Sequence, residues 1–180
     1  LIEYKIDILP EEINEVLIVV GYLGKSIREY FGEEFKGKKI TYVQMDELTG
    51  TGSALWLCKD LLKDEERFLV MMGDDIYSKE DISEMVKEDW AILVKKIEYS
   101  ISGGNIKVDE KGNFTDINEV TTKQTVLINT GMYTLKPEIF NYDLVKLEGR
   151  SEYGLPQTML SASKDHEIKV LYTDNWKQIT

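Results

Sequence analysis

Cysteine, histidine and proline are scarce: 180 residues hold one cysteine, Cys58, one histidine, His166, and three prolines. A lone cysteine excludes a disulfide framework and any zinc cage built from paired thiolates. A lone histidine gives little support to a Ser-His-Asp triad or a histidine-based metal triad. No apolar run approaches the roughly 18 residues of a membrane span, and no secretory leader pattern opens the chain. Positive charge is also short. Lys and Arg total 22 against 33 Asp and Glu, a formal net charge of −11. No basic stripe of the kind that tracks duplex nucleic acid is present. The chain is therefore expected to be cytoplasmic, with no nucleic acid and no membrane among its partners. An anionic ligand has to be held by a metal or by backbone N–H groups rather than by bulk charge.

What is present is an ordinary globular composition, 42% hydrophobic. A chain of this length buries roughly 70% of the surface its unfolded form exposes, so no covalent staple is needed. Leu1 stands inside an apolar-periodic segment, an opening that reads as part of a longer chain. Leu1–Leu9 is ambiguous between helix and strand until Pro10 interrupts it, which favours the end of a helix. Val16–Val20, Ile40–Val43, Phe68–Met72 and Ala91–Val94 read as strands, the apolar runs among them as strands buried on both faces. Helices are expected at Ser26–Phe31, Ala54–Leu62 and Ile82–Val86. A hairpin then joins Asn105–Val108 to Phe114–Ile117, followed by an extended segment through Asn129-Thr-Gly131. Helices at Pro137–Val145 and Leu155–Ser163 and a strand at Ile168–Tyr172 complete the chain. Strands alternating with helices predict one mixed α/β domain over residues 1–180.

Ligands of open α/β sheets bind beyond the carboxyl ends of the strands. Three loops fall there: Gly21–Gly24, Gln44–Gly52 and Gly73-Asp74-Asp75. In the third, two carboxylates follow a buried strand, the arrangement by which Mg²⁺ is held through one or two acids plus substrate phosphates. A plain turn is the competing reading. Thr49-Gly-Thr-Gly-Ser53 leads into a helix, whose N-terminal amides favour anions. The alternative there is a simple cap by Ser53 or Thr51. Gln44 could read a nucleobase edge or simply meet water. Cys58 is expected as a core thiol and His166 as a solvated loop residue. Trp56, Trp90 and Trp176 should be core or pocket-lining, and Lys63–Arg67 a solvated turn.

In order and spacing these pieces resemble the sugar-1-phosphate nucleotidyltransferase family, of the glucose-1-phosphate thymidylyltransferase-like kind. The matching residues are Leu1–Tyr4, Val16–Gly24, Tyr30–Gly32, Tyr42–Gln44, Gly50–Leu55, Phe68–Tyr77, Asp109–Gly112, Asn129–Tyr133 and Lys136–Phe140. The resemblance implies a Rossmann-like fold of the nucleotide-diphospho-sugar transferase type. That is a mixed, mainly parallel sheet flanked by helices, with a small antiparallel ribbon. It implies a reaction in which an NTP and a sugar 1-phosphate give an NDP-sugar and pyrophosphate, with Mg²⁺. Carried over by position, Asp74 would be the metal carboxylate and the catalytic anchor, and Gln44 and Gly50 would contact the base. Gly104, Glu119 and Asn129 would contact the sugar. A homo-oligomer is compatible with the family.

The sequence departs from the family pattern in three places. The Gly-rich phosphate loop would precede Leu1, so these residues alone are expected to bind better than they catalyse. A late Trp-x-Asp acid, a second metal ligand, aligns with Gln178. A Glu-Lys pair reads Glu119-Val120, with Lys123 as a substitute cation. These departures keep two alternatives open: a catalytically silent nucleotide-sugar-binding or regulatory relative, and transfer to a non-sugar phosphate such as phosphocholine.

Overall fold

The computed structural model describes residues 1–98, 101–122 and 125–179, and leaves aside the side chains of 101–103 and 119–122. Its elements run α1 (Ile2–Ile8), β1 (Glu15–Val20), α2 (Gly24–Phe31), β2 (Glu34–Phe35), β3 (Lys38–Gln44), α3 (Thr51–Trp56), α4 (Lys59–Leu62) and β4 (Phe68–Met71). There follow β5 (Asp75–Ile76), α5 (Lys79–Met85), β6 (Ala91–Ile97), β7 (Ile101–Val108), β8 (Phe114–Thr122) and β9 (Val126–Leu135). A 3₁₀ turn at Pro137–Asn141, α6 (Leu155–Ala162), β10 (Lys169–Tyr172) and β11 (Lys177–Gln178) close the order. No helix among the described residues is long and apolar enough to cross a membrane.

The α/β class is as expected. A small sheet has the order β1-β3-β2, and a larger one the order β10-β6-β9-β7-β8, with β4 also paired to β9. The share of parallel pairing is lower than expected. Only β1–β3 and β6–β10 are parallel among the described ladders. The reason is topological. β4, α5 and β6 form a crossover unit whose strands run the same way, but β9 inserts between them, antiparallel to both. β6 explains its unbroken apolar sequence. Ile92 and Val94 face one core cluster while Ala91, Leu93 and Ile97 face another, so both sides of the strand are buried. A third cluster joins Ile6 of α1 to Ile18, Val20 and Ile40 under the small sheet.

Two helices differ from expectation. Ala54–Leu62 is divided into α3 and α4 at Leu57 and Cys58. Pro137–Val145 forms only a 3₁₀ turn. Beyond it Val145 donates its N–H to Thr158 Oγ1 at 3.0 Å and accepts from the Gly154 N–H at 3.0 Å. Tertiary pairing holds that segment extended. His166 is also not simply solvated: its ring stacks on Trp90 at a centroid distance of 4.5 Å. Cys58 is a core thiol, 3% exposed, with burial pushing it up to about 11.

Candidate active site

The cavity of interest has a volume of about 370 Å³ and lies where β4, β7, β9, β11 and the start of α6 meet. Its shape depends on a bulge in β9. Ile92 pairs with Tyr133 and Val94 with Asn129, so two residues of β6 span four of β9. Such a bulge re-aims a side chain next to a site. Here its polar groups are paired. Thr130 Oγ1 donates to the Leu93 carbonyl at 2.8 Å and the Tyr77 hydroxyl donates to the Thr130 carbonyl at 2.8 Å. Gly131 takes φ +77°, and a Cβ there would stand 2.4 Å from Met72 Cγ. Only glycine fits the bend.

The bend delivers Asn129 to the cavity wall with its amide fixed. Asn129 Oδ1 accepts from the Gly131 N–H at 3.1 Å, and Nδ2 donates to the Tyr133 hydroxyl at 2.7 Å. One N–H and one lone pair of the amide stay free for a ligand. Gly104 lies beside it on β7, where a Cβ would come within 2.9 Å of Ile117 and 3.7 Å of the Asn129 Cβ. A side chain at 104 would fill the space in front of the amide.

β4 ends at Met71, and the acidic turn follows. Asp74 is exposed, and Asp75 is 5% exposed. Burial pushes the Asp75 carboxyl up to about 6, with the charge of Asp74 adding to the rise; the Tyr77 hydroxyl, the Trp176 indole N–H and the Lys5 ammonium oppose it. Asp75 Oδ1 and Trp176 Nε1 are buried without a hydrogen-bond partner, and both residues line this cavity. The Trp176 indole N–H is near enough to the Asp75 carboxyl to help hold it down, so each of these two groups faces the other across the cavity wall. Two residues of α1 grip the turn from outside. Lys5 Nζ donates to the Gly73 carbonyl at 2.8 Å and the Tyr4 hydroxyl to the Tyr77 carbonyl at 2.9 Å. Burial lowers the Lys5 ammonium while Asp75 and Asp74 hold it up.

The structure therefore brings Asp74, Gly104 and Asn129 onto one cavity. Glu119 pairs with Gly104 in the β7–β8 ladder, but its side chain and that of Val120 lie outside the described set, as does Lys123 altogether. Gln44 and Gly50 do not line this cavity. Gln44 is exposed at the end of β3, and its Oε1 accepts from Arg28 Nη2 at 3.4 Å. Gly50 is the N-cap of α3 with φ +100°, and neither Ser53 nor Thr51 caps that helix. The Gly50 flank is taken by protein: a Cβ would lie 2.5 Å from the Tyr153 carbonyl oxygen. Its neighbour Thr51 does reach the cavity, as do Tyr133, Gln157 and Trp176. Thr51 and Tyr133 sit inside motifs already singled out and Trp176 was expected as core or pocket-lining, whereas Gln157 has no signal in the sequence. Among the described residues no three His, Cys, Asp or Glu side chains gather as a metal cluster.

A family model described as nucleotidyl transferase matches residues 1–179. A bifunctional sugar-1-phosphate nucleotidylyltransferase/acetyltransferase of Sulfurisphaera tokodaii is 33% identical over 186 residues, covering 99% of this chain and 44% of that protein. The UTP–glucose-1-phosphate uridylyltransferase AglF of Haloferax volcanii is 28% identical over 175 residues, covering 91% of this chain and 71% of that protein. The chain thus spans less than half the length of the first of these relatives. The crystal structure of HddC from Yersinia pseudotuberculosis superposes with a TM-score of 0.71 at 19% identity, over 99% of this chain and 77% of that one, a likeness of fold.

Proposed function

The chain belongs to the nucleotidyl transferase family, and on that premise we propose that it joins an NTP to a sugar 1-phosphate, releasing pyrophosphate and an NDP-sugar. The observation that carries the reading is the convergence of Asp74, Gly104 and Asn129 on one cavity. The two relatives, by their names, act on sugar 1-phosphates, which favours a sugar over phosphocholine. Attack by the sugar phosphate oxygen on the α-phosphorus, in line and without a covalent enzyme intermediate, asks the protein for positioning and charge neutralisation.

Each described group has a part in that task. Asn129, its amide already oriented by Tyr133 and Gly131, offers one donor and one acceptor to sugar hydroxyls, and Gly104 leaves the room for the ring. Gln44 and Gly50, outside the cavity, serve the base. The donors of the acidic turn are hard carboxylate oxygens on the cavity wall, a chemistry that suits a divalent cation. Asp74 would hold it. When bound, Mg²⁺ offsets the charge of the phosphates, which a chain of net charge −11 does not do by itself. A cytoplasmic setting suits such substrates.

The test is pyrophosphate release by the intact protein across NTPs and sugar 1-phosphates with Mg²⁺. At least one pair should turn over, and Asp74→Asn should remove most of that turnover while leaving the fold intact. The neutral amide of Gln178 favours a second reading, a nucleotide-sugar-binding protein without turnover. That reading wins if NDP-sugars bind but no pair reacts.

A further inference from the structure

We infer that Arg28 is a positioning residue of the base subsite: it turns the Gln44 amide so that the site takes bases carrying a ring carbonyl, such as uracil, thymine or guanine. The inference rests on the nucleotidyl-transfer reading above, in which Gln44 serves the base. Gln44 ends β3 beside Val20, the last residue of β1, and α2 follows that strand at Gly24. Gly24 and Arg28 are four apart on α2 and so share one helix face. Both meet the Gln44 oxygen. A Cβ at Gly24 would stand 3.4 Å from Oε1, and Arg28 Nη2 donates to Oε1 at 3.4 Å.

The guanidinium is itself held. It lies over the Tyr42 ring, 4.9 Å from the centroid, within cation–π range. The ring is fixed in turn, because the Tyr42 hydroxyl donates at 2.6 Å to the carbonyl of Gly32, the C-cap of α2. In a chain with 33 acidic residues, Arg28 has no part in the ten ion pairs described and meets a neutral amide instead. A guanidinium has donors only, so it can meet an amide only through the amide oxygen. Both N–H groups of Gln44 Nε2 are thereby turned away from Arg28. The residue is exposed, and among the described residues no protein group accepts from them. Two donors suit a ring carbonyl, whereas an exocyclic amine would set N–H against N–H. An amide free to rotate would serve either kind of base.

Nucleotide binding by the intact protein, followed by calorimetry with Mg²⁺ and no sugar phosphate, tests the assignment without reference to turnover. UTP and CTP form one matched pair and ITP and ATP another, each carrying a carbonyl or an amine at the same ring position. In whichever pair binds, the carbonyl member should bind about tenfold or more tightly, the scale of a hydrogen-bonding site meeting the wrong group. Arg28→Ala should cut that preference to within about threefold, because the freed amide can present either edge. Gln44→Glu, with acceptors only, should reverse the preference, a readout that survives if Arg28→Ala does not fold. A purely structural Arg28 would lower the affinity for both members alike and leave their ratio intact, which overturns the assignment. An amino member bound as tightly by the unmodified protein, or no NTP binding at all, overturns it as well. Pyrophosphate release is scored separately. A carbonyl preference that depends on Arg28 without turnover of any substrate pair sinks the reaction and leaves the assignment standing. Turnover whose base preference is indifferent to Arg28 does the reverse.

Discussion

A single methyl group separates the β9 bulge from a misfolded one. Gly131→Ala would need a left-handed backbone and would press on Met72 and on Asp75 Oδ2, 3.3 Å from the added carbon. The expected loss is about 2–4 kcal/mol, read from the midpoint of urea unfolding. Asp75 makes a prediction about pH. Its carboxyl is raised to about 6 in the folded protein, so the folded state holds that proton more tightly than the unfolded chain. The stability it contributes is complete below pH ~4, the unfolded value, and is lost as pH rises through about 6. Asp75→Asn keeps the shape and removes the titration. In chelator-treated protein the variant should match the parent near pH 4 and exceed it by about 1–3 kcal/mol above pH ~7. Equal stability across that window would refute the burial argument. The residues that sequence reasoning could reach were those inside a local pattern. Gly-Asp-Asp after an apolar run marks a turn with acids, and Asn129-Thr-Gly131 marks a break in a strand. Trp176, expected as core or pocket-lining, is buried on the cavity wall; Lys5 could not be found from a local pattern, because its role comes from the Gly73 carbonyl 68 residues away.

At the scale of elements, α1 ties the small sheet to the acidic turn. Its Ile6 packs in the cluster under β1 and β3, while Tyr4 and Lys5 bond the turn at the end of β4. Tyr4→Phe removes one of those two bonds and should cost about 0.5–1.5 kcal/mol. Amide hydrogen exchange should rise at residues 73–77 and stay unchanged in β6; uniform exchange would show that α1 does not hold the turn. Element identity was largely legible because β-branched runs and glycine stops act locally. Two failures have a common cause. The Pro137 segment carries a proline suited to a helix start and two buried apolar residues, Ile139 and Phe140, yet α6 draws the following backbone into an extended pairing at Val145. The predominance of antiparallel pairing was hidden for a similar reason: nothing in residues 126–135 says that they insert between β4 and β6.

For the whole molecule, the dominant quantity is charge. A net charge of −11 repels itself in the compact state more than in the expanded one. Raising NaCl from about 0.02 to 0.5 M should shorten the screening length from about 20 to 4 Å and raise the melting temperature by a few degrees. A fall in melting temperature would show that attractive pairs outweigh the repulsion. The ten ion pairs described do not alter that expectation, since they join side chains that are mostly well exposed, from Lys25–Glu29 to Lys169–Glu88.

The glycines of the loop before α3 have a consequence for which mutations the protein can absorb. Tyr153 donates its N–H to the Thr49 carbonyl at 2.7 Å and its carbonyl accepts from the Gly52 N–H at 2.9 Å. Both of these bonds are main chain to main chain, across a gap that Gly50 and Gly52 keep narrow; Thr51 Oγ1 adds one side-chain acceptor, for the Leu155 N–H at 3.1 Å. Tolerance on its two sides is therefore unequal. Saturation mutagenesis should return glycine alone at 50, while position 153 accepts most residues and rejects proline, which has no N–H to give. A lineage could rewrite one lip of this seam freely and never touch the other.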